Sequence, residues 1–431
     1  MTFTIPLKAS TFNLDISGVA GFFAGDVTAS AMVTIHTHQG RRRLGWYNSP
    51  GSYEIAKRYG QLARSRFWDG LYPGTHVDPT ILLGFDGVKG PRYRAAHADA
   101  SVFRTGHLAH LFMQECRDIP WTEIRRIDGP RIIRRTYATI VDLHHQPEPE
   151  ERPHLLQDST SPLASIPIIA SLSTCIACLV YEDWYCFSMI LLGIVSSGVS
   201  YFVIGAATFT FNHPRHAYGA GRGDGVMAFE VDDEVVVLRG REGAVTPITR
   251  GRFSLRFASE PDYHDIGGCS LLLTVQFLLQ LLLVPQGELF GQIMFLCSLV
   301  ASWAYNCYLS SRDREGFQRR ILDQILQKPA KRKYEFGTAT IRAVFVLLVL
   351  APAEPAALRK VLDDLLPGET LTWIIWKGVV IEKVCTADRA PYTLPLFSYA
   401  PDRHSQEVDG STLATLFTDA EAAAEAYYSW K

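Results

Sequence analysis

Four stretches of this chain, each of 19 residues or more, contain no Asp, Glu, Lys or Arg. They are Leu163 to Tyr181, Cys186 to Phe211, Ile266 to Val284 and Leu289 to Leu309. A helix rises 1.5 Å per residue, so about 20 apolar residues cross ~30 Å of hydrocarbon. All four stretches therefore predict membrane spans, and uncharged runs of this length argue against four core helices of a soluble protein. The formal net charge is -2, which excludes an overall basic nucleic-acid binder and a disordered acidic chain.

The connections set the threading. Glu182-Asp183-Trp184-Tyr185 joins the first pair of runs and Pro285-Gln286-Gly287-Glu288 the second, both short and free of Lys and Arg. The central segment, by contrast, carries Arg215, Arg222, Arg239, Arg241, Arg250, Arg252 and Arg256. Arg312, Arg314, Arg319 and Arg320 follow the last run. The positive-inside bias places both termini and the central segment in the cytosol. Trp184 and Tyr185, with Trp303, Tyr305 and Tyr308, suit aromatic belts at the two interfaces. The N-terminus has no basic, long apolar leader, and six of the eight cysteines lie in or beside the runs, with no disulfide framework.

The expected fold is an integral membrane α-helical protein with four transmembrane helices in two hairpins. A cytosolic α/β domain spans residues 1–145, followed by a Pro- and acid-rich linker at 146–162. The hairpins occupy 163–211 and 266–309, separated by a small β-containing cytosolic segment at 212–265. A basic amphipathic helix is expected at 310–333 and a mainly helical C-terminal domain at 334–431. Within these, Ala31 to Ile35 alternates like a strand, and Tyr53, Ala56, Tyr59, Leu62, Ala63 and Phe67 recur at helical spacing. Val226–Val231 and Glu234–Arg239 predict a hairpin, and Arg252–Phe257 a further strand. Ala343 to Ala351 is apolar but too short to cross, and Thr418 with Glu421 forms a capping-box pattern.

Basic clusters point to one partner, the lipid bilayer and its anionic cytosolic leaflet. Residues 1–145 hold 18 Lys/Arg against 12 Asp/Glu, and 312–333 hold eight basic residues against three acids. Each Lys or Arg near such a surface contributes about 1 kcal/mol. The plainer reading is a solvated basic face.

Candidate chemistry is sparse. His36 and His38 share a face on a strand, and His107 and His110 share one on a helix, so each pair has chelating spacing. Chance pairing accounts for them better in a chain with 13 histidines. His213 and His216 rank below these. Gly219-Ala220-Gly221-Arg222-Gly223-Asp224-Gly225 has the composition of a phosphate loop but is followed by a strand, so it is expected to be a connector. Cys175 and Cys178, and the small residues Gly193, Ser196, Ser197 and Ser200, are expected to serve helix packing. Gln276, Gln280, Gln292 and Asn306 are either interhelical hydrogen-bonding groups or the lining of a polar path. No ionisable side chain lies inside any run, which argues against proton relays and ion-coupled carriers. No catalytic, metal or cofactor residue is assigned.

Three blocks, EVVVLRGREGAVTPITRGRFSLRF, LLLTVQFLLQLLLVPQGELFGQIMFLCSLVASWAYNCYLSS and DDLLPGETLTWIIWK, resemble a family of uncharacterised fungal membrane proteins. The likeness covers roughly residues 195–385, and VPQGELFGQIMFL is its most specific part. It implies a membrane protein and a helix at 370–385, and no activity. The leading expectation is thus a non-enzymatic, membrane-anchored scaffold. A small-solute channel or transporter formed by oligomerising hairpins, and a membrane-shaping hairpin protein, are the alternatives. A His-based membrane enzyme ranks last.

Overall fold

The computed structural model describes residues 23, 26–74, 78–97, 100–127, 129–155, 161–215, 221–229, 233–387, 396–397 and 410–430. The chain divides into two compact units, each assembled from three separated stretches. A helical unit takes Met1–Phe85, Arg152–Thr210 and Phe253–Phe317, and an α/β unit takes Asp86–Glu151, Phe211–Arg252 and Gln318–Lys431. The expected N-terminal domain of 1–145 is therefore split at Phe85, and its first part folds with the apolar helices.

Four helices are long and apolar enough to cross a membrane: Pro162–Val180, Trp184–Ile204, His264–Gln286 and Leu289–Ser310. The second is shorter than expected because Thr208–Asn212 turns into a strand. Their outward faces leave apolar side chains uncovered, with Ile169 61% and Leu282 64% exposed, while Gln276 and Asn306 are fully buried. This polarity is the reverse of a soluble helix and is what lipid requires.

Short helices precede them in the same unit, among them α1 (Asp26–Val33) and α2 (Ser52–Gly60). The strand expected at Ala31 to Ile35 is instead the end of α1 and a 3-10 turn, Thr34–His36. Ala29, Ala31, Met32 and Val33 are all buried, so this helix is apolar nearly all round and its sequence carries no periodicity to separate helix from strand.

The α/β unit is built on a seven-stranded mixed sheet. Its strands are β1 (Arg92–Ala95), β2 (Ser101–Val102), β3 (Arg125–Ile127), β4 (Thr136–Leu143), β5 (Gly225–Ala228), β6 (Glu234–Gly240) and β7 (Ala330–Phe336). The order is β2-β1-β5-β6-β4-β7-β3. The β5–β6 hairpin is antiparallel as expected, and β4 pairs in parallel with β6 from Tyr137↔Glu234 to Leu143↔Gly240. The expected strand at 252–257 forms as Arg252–Arg256 and joins a separate three-stranded sheet.

The helices of this unit are α3 (His107–Arg117), α4 (Glu242–Thr249), α5 (Arg314–Ile325), α6 (Ala339–Leu350), α7 (Pro355–Leu365), α8 (Leu371–Ala387) and α9 (Gly410–Trp430). Helix α6 settles the 343–351 segment as a buried core helix, capped by Thr338, whose hydroxyl accepts the Ile341 N–H at 3.2 Å. Its Val344 to Leu350 run packs with Ile140, Val237, Phe336, Leu358 and Trp376.

Two expectations fail here for identifiable reasons. The basic helix ends at Ile325, and Lys331, Arg332 and Lys333 lie on β7, inside the sheet. Thr418 and Glu421 sit in the middle of α9, where Glu421 accepts the N–H groups of Leu396 and Phe397 rather than capping a helix.

Candidate functional site

The polar residues of the helical unit converge on one segment that contains no apolar run. The backbone from Arg42 to Asn48 runs down the second apolar helix. Arg42 stacks its guanidinium over Phe202 at 5.5 Å, Trp46 fills the space beside Gly198, and Asn48 fills the space beside Gly193. The stretch opens on a 3-10 turn, Arg41–Arg43, and continues to Asn48 without regular structure. Gly193 lies nine residues beyond Trp184, about 14 Å along the second apolar helix and near its middle.

There the chain reverses. Gly51 adopts a left-handed conformation (φ 72°) that a side chain would strain, and α2 starts at the next residue. It returns along the third apolar helix, with Tyr53 stacked on Phe277 at 5.5 Å. Residues 42–60 thus form an excursion that runs in along the second apolar helix and back along the third. Irregular backbone at membrane depth persists only where it is buried in protein or lines a cavity.

Asn48 is the hub of the excursion. Its N–H donates to Ser171 Oγ at 3.0 Å and its Nδ2 to Ser298 Oγ at 2.8 Å. Its Oδ1 accepts Gln280 Nε2 at 3.2 Å and lies where any side chain at position 193 would sit. This one residue therefore touches all four apolar helices, the first through its backbone N–H and the other three through its side chain. Gln280 also donates to the Met189 carbonyl at 3.1 Å, and Tyr47 OH donates to Asn306 Oδ1 at 3.0 Å. Asn306 donates in turn to Ser49 Oγ at 3.3 Å. Gln292 works elsewhere, donating to the Gly287 carbonyl at 2.9 Å. Gly193 is small enough to admit Asn48 and Gln280 of the third apolar helix, and Gly198 to admit Trp46.

Beside the hub, Ser49, Ser52, Ser197 and Gln276 meet Ile55 and Leu273 at a crevice too narrow in this conformation to hold a water molecule. Ser197 Oγ and Gln276 Oε1 are buried there without a hydrogen-bond partner. Leaving a buried polar atom unsatisfied costs about 1–3 kcal/mol, a penalty that is removed when a polar partner enters.

The histidines do not build a metal centre. His36 is buried in the helical unit against Tyr59, Phe85 and Phe257, and burial pushes its pKa down to about 3. His38 packs edge-on against Phe317. His107 and His110 belong to the α/β unit, where His107 Nε2 meets Gln318 Oε1 at 2.7 Å. His213 Nε2 meets the Pro147 carbonyl at 3.2 Å, and His216 lies outside the described residues. Among the described residues, no group of three or more His, Cys, Asp or Glu side chains is placed to hold a metal ion.

The basic residues after the fourth apolar helix are largely committed inside the protein. Arg319 donates to Asp118 at 2.5 Å, Lys331 to Glu115 at 2.5 Å, and Lys333 to Glu234 at 2.7 Å. Lys331 also reaches Asp323 at 3.1 Å. Two carboxylates share that one ammonium, and burial first, then Asp323, push Glu115 up to about 7. Cys116 is inert for the same reason, its thiol raised by burial.

No family model matches the chain, and no curated protein or solved structure matches it either. The site therefore rests on its own geometry. Of its residues, Gln276, Gln280 and Asn306 were legible as uncommon amides in apolar runs. Tyr47, Asn48 and Ser49 were not, because they lie outside those runs. The one local signal was Asn48-Ser49-Pro50-Gly51, a turn sequence.

Proposed function

We propose that the chain forms a membrane pathway for small, neutral, polar solutes, held closed in this conformation by the Asn48 segment. The carrying observation is the excursion of residues 42–60 that brings Asn48 into hydrogen bonds among the four apolar helices, which with those helices across a bilayer lies near mid-depth. A scaffold that only needs anchoring gains nothing from polar backbone at that position. Ser197 Oγ and Gln276 Oε1 beside it, which have no partner among the described residues, supply hydrogen-bonding capacity of the kind that replaces a solute's hydration. Apart from His264 and Asp265 at the start of the third, the four helices hold no Asp, Glu, Lys, Arg or His, which favours passive flux over coupling to protons or ions. On the positive-inside bias, the α/β unit faces the cytosol.

The test is flux. Full-length protein in phosphatidylcholine vesicles should shrink and re-swell faster in glycerol or urea than empty vesicles, by stopped-flow light scattering. Gln276→Leu should slow the re-swelling, and Asn48→Ala should speed it. If the protein and its Asn48→Ala variant both leave vesicles as tight as empty ones, the pathway reading falls. The membrane-anchored scaffold then takes its place.

A further inference from the structure

At the opposite extreme of the chain's chemistry, the α/β unit carries an open polar crevice. Strands β4 and β6 run parallel and finish together at Leu143 and Gly240. Beyond their carboxyl ends lies a cavity of about 510 Å³. This is where open α/β sheets admit ligands, because strand ends and the following turns leave backbone and side-chain groups free to converge.

We propose that this crevice binds the phosphate-monoester group of a small ligand. Three arginines line it, Arg222, Arg239 and Arg241, with Asp142 and Asp224 as the lining acids. Both acids are already engaged. Asp142 lies between two guanidinium groups, Arg239 at 3.2 Å and Arg332 closer still. Asp224 Oδ1 accepts the Gly240 N–H at 2.7 Å, and its Oδ2 meets His97 Nε2 at 3.0 Å. Arg222 and Arg241 are exposed and make no ion pair among the described residues. Their backbones are joined by an antiparallel bridge, which holds the two side chains abreast. Three lining cations against two acids leave +1, and Arg332 behind Asp142 makes it +2.

The glycines explain why the loop can come this close. Gly223 donates its N–H to the Gly240 carbonyl at 2.8 Å, and a Cβ at Gly223 would lie 2.6 Å from Glu242 Cα. The strand-then-helix context that the glycine-rich segment lacks in sequence is supplied by β6, Arg241 and α4. The amino end of α4 adds a favourable dipole. Glu242, its first residue, is exposed and does not line the cavity. Planar, five-donor guanidinium groups match phosphate oxygens bidentately, so a pair held side by side selects a phosphate dianion over chloride.

The experiment uses full-length protein in phosphatidylcholine nanodiscs, titrated with glycerol phosphate by calorimetry. Saturable binding is expected. Arg222→Gln with Arg241→Gln should weaken it about tenfold or more, and Arg252→Gln should not. Arg241→Lys, which keeps the charge and loses the fork, should fall between them. A second arm places phosphatidic acid in the disc. If it abolishes the glycerol phosphate signal, the natural ligand is a lipid headgroup, and if the signal persists it is a soluble phosphate ester. Binding that the double variant leaves unchanged overturns the proposal, as does the absence of binding in both arms.

Discussion

Asp183 accepts the backbone N–H of Glu288 at 2.9 Å through one carboxylate oxygen while the other caps the second apolar helix at the Cys186 N–H, 3.1 Å away. The two short turns therefore share one end of the bundle and one buried side chain. Replacing Asp183 by Ala removes a helix cap and leaves a turn N–H unsatisfied, an expected loss of about 2 kcal/mol. Asp183→Asn keeps an acceptor and should lose about half as much. Denaturation midpoints of the full chain in detergent measure both.

Asn48 and Gly193 should behave as a coupled pair. Gly193→Ala puts a methyl where Asn48 Oδ1 lies and should destabilise by about 1–3 kcal/mol. In an Asn48→Gly background the same methyl has room, so its cost should largely disappear. A double-mutant cycle that finds the two effects additive would mean the hub does not occupy the bundle as described.

Lys333 and Glu234 form an almost fully buried pair at 2.7 Å, and Lys333 also donates to the Cys116 and Arg117 carbonyls at the end of α3. Lys333→Met leaves Glu234 without its counter-ion and should cost about 3–5 kcal/mol. Adding Glu234→Gln should restore much of that loss, because the isolated charge and not the missing bond carries most of the penalty. Thermal melts of the single and double variants provide the comparison.

Glu115 gives the α/β unit a pH dependence of definite sign. Its folded pKa is raised to about 7 from 4.5, mainly by burial. Between those values the folded state binds a proton that the unfolded state has released, so this contribution is full below pH 4.5 and is lost as pH rises through 7. Glu115→Gln should flatten the profile and stabilise the protein above pH 7 by about 1 kcal/mol, after allowance for partial solvent screening. A variant whose stability tracks the parent at every pH would remove Glu115 from the account.

The apolar runs were legible because hydrocarbon leaves few alternatives: an uncharged stretch of that length has few other uses, and its ends fall within a few residues of the observed helices except at Ile204, where the second helix stops ahead of the Thr208–Asn212 strand. The β5–β6 hairpin and α7 were legible from local alternation and from the Pro355 start. What escaped was long-range. Lys331-Arg332-Lys333 looks like the tail of a surface helix because its partners Glu115, Asp142 and Glu234 are more than 90 positions away. Asn48 escaped for a related reason, since a polar residue in a polar segment gives no sign that four apolar helices will close around it. The crevice arginines were visible only as a charge count, and it took the β4–β6 register to place them together.

The interleaving of the two units constrains how the protein can be made. Strand β7 lies between β4 and β3, yet it is synthesised after both helical hairpins. At about 5–20 residues per second, the ribosome needs roughly 10–40 s to travel from the end of β4 to the end of β7. Throughout that interval the nascent sheet has an open edge along β4 that only a strand downstream of the last hairpin can fill. Completion of the sheet therefore reports that all four long apolar helices have already been synthesised. A chain stopped before residue 330 leaves the β4 edge without the partner strand that covers it in the finished fold.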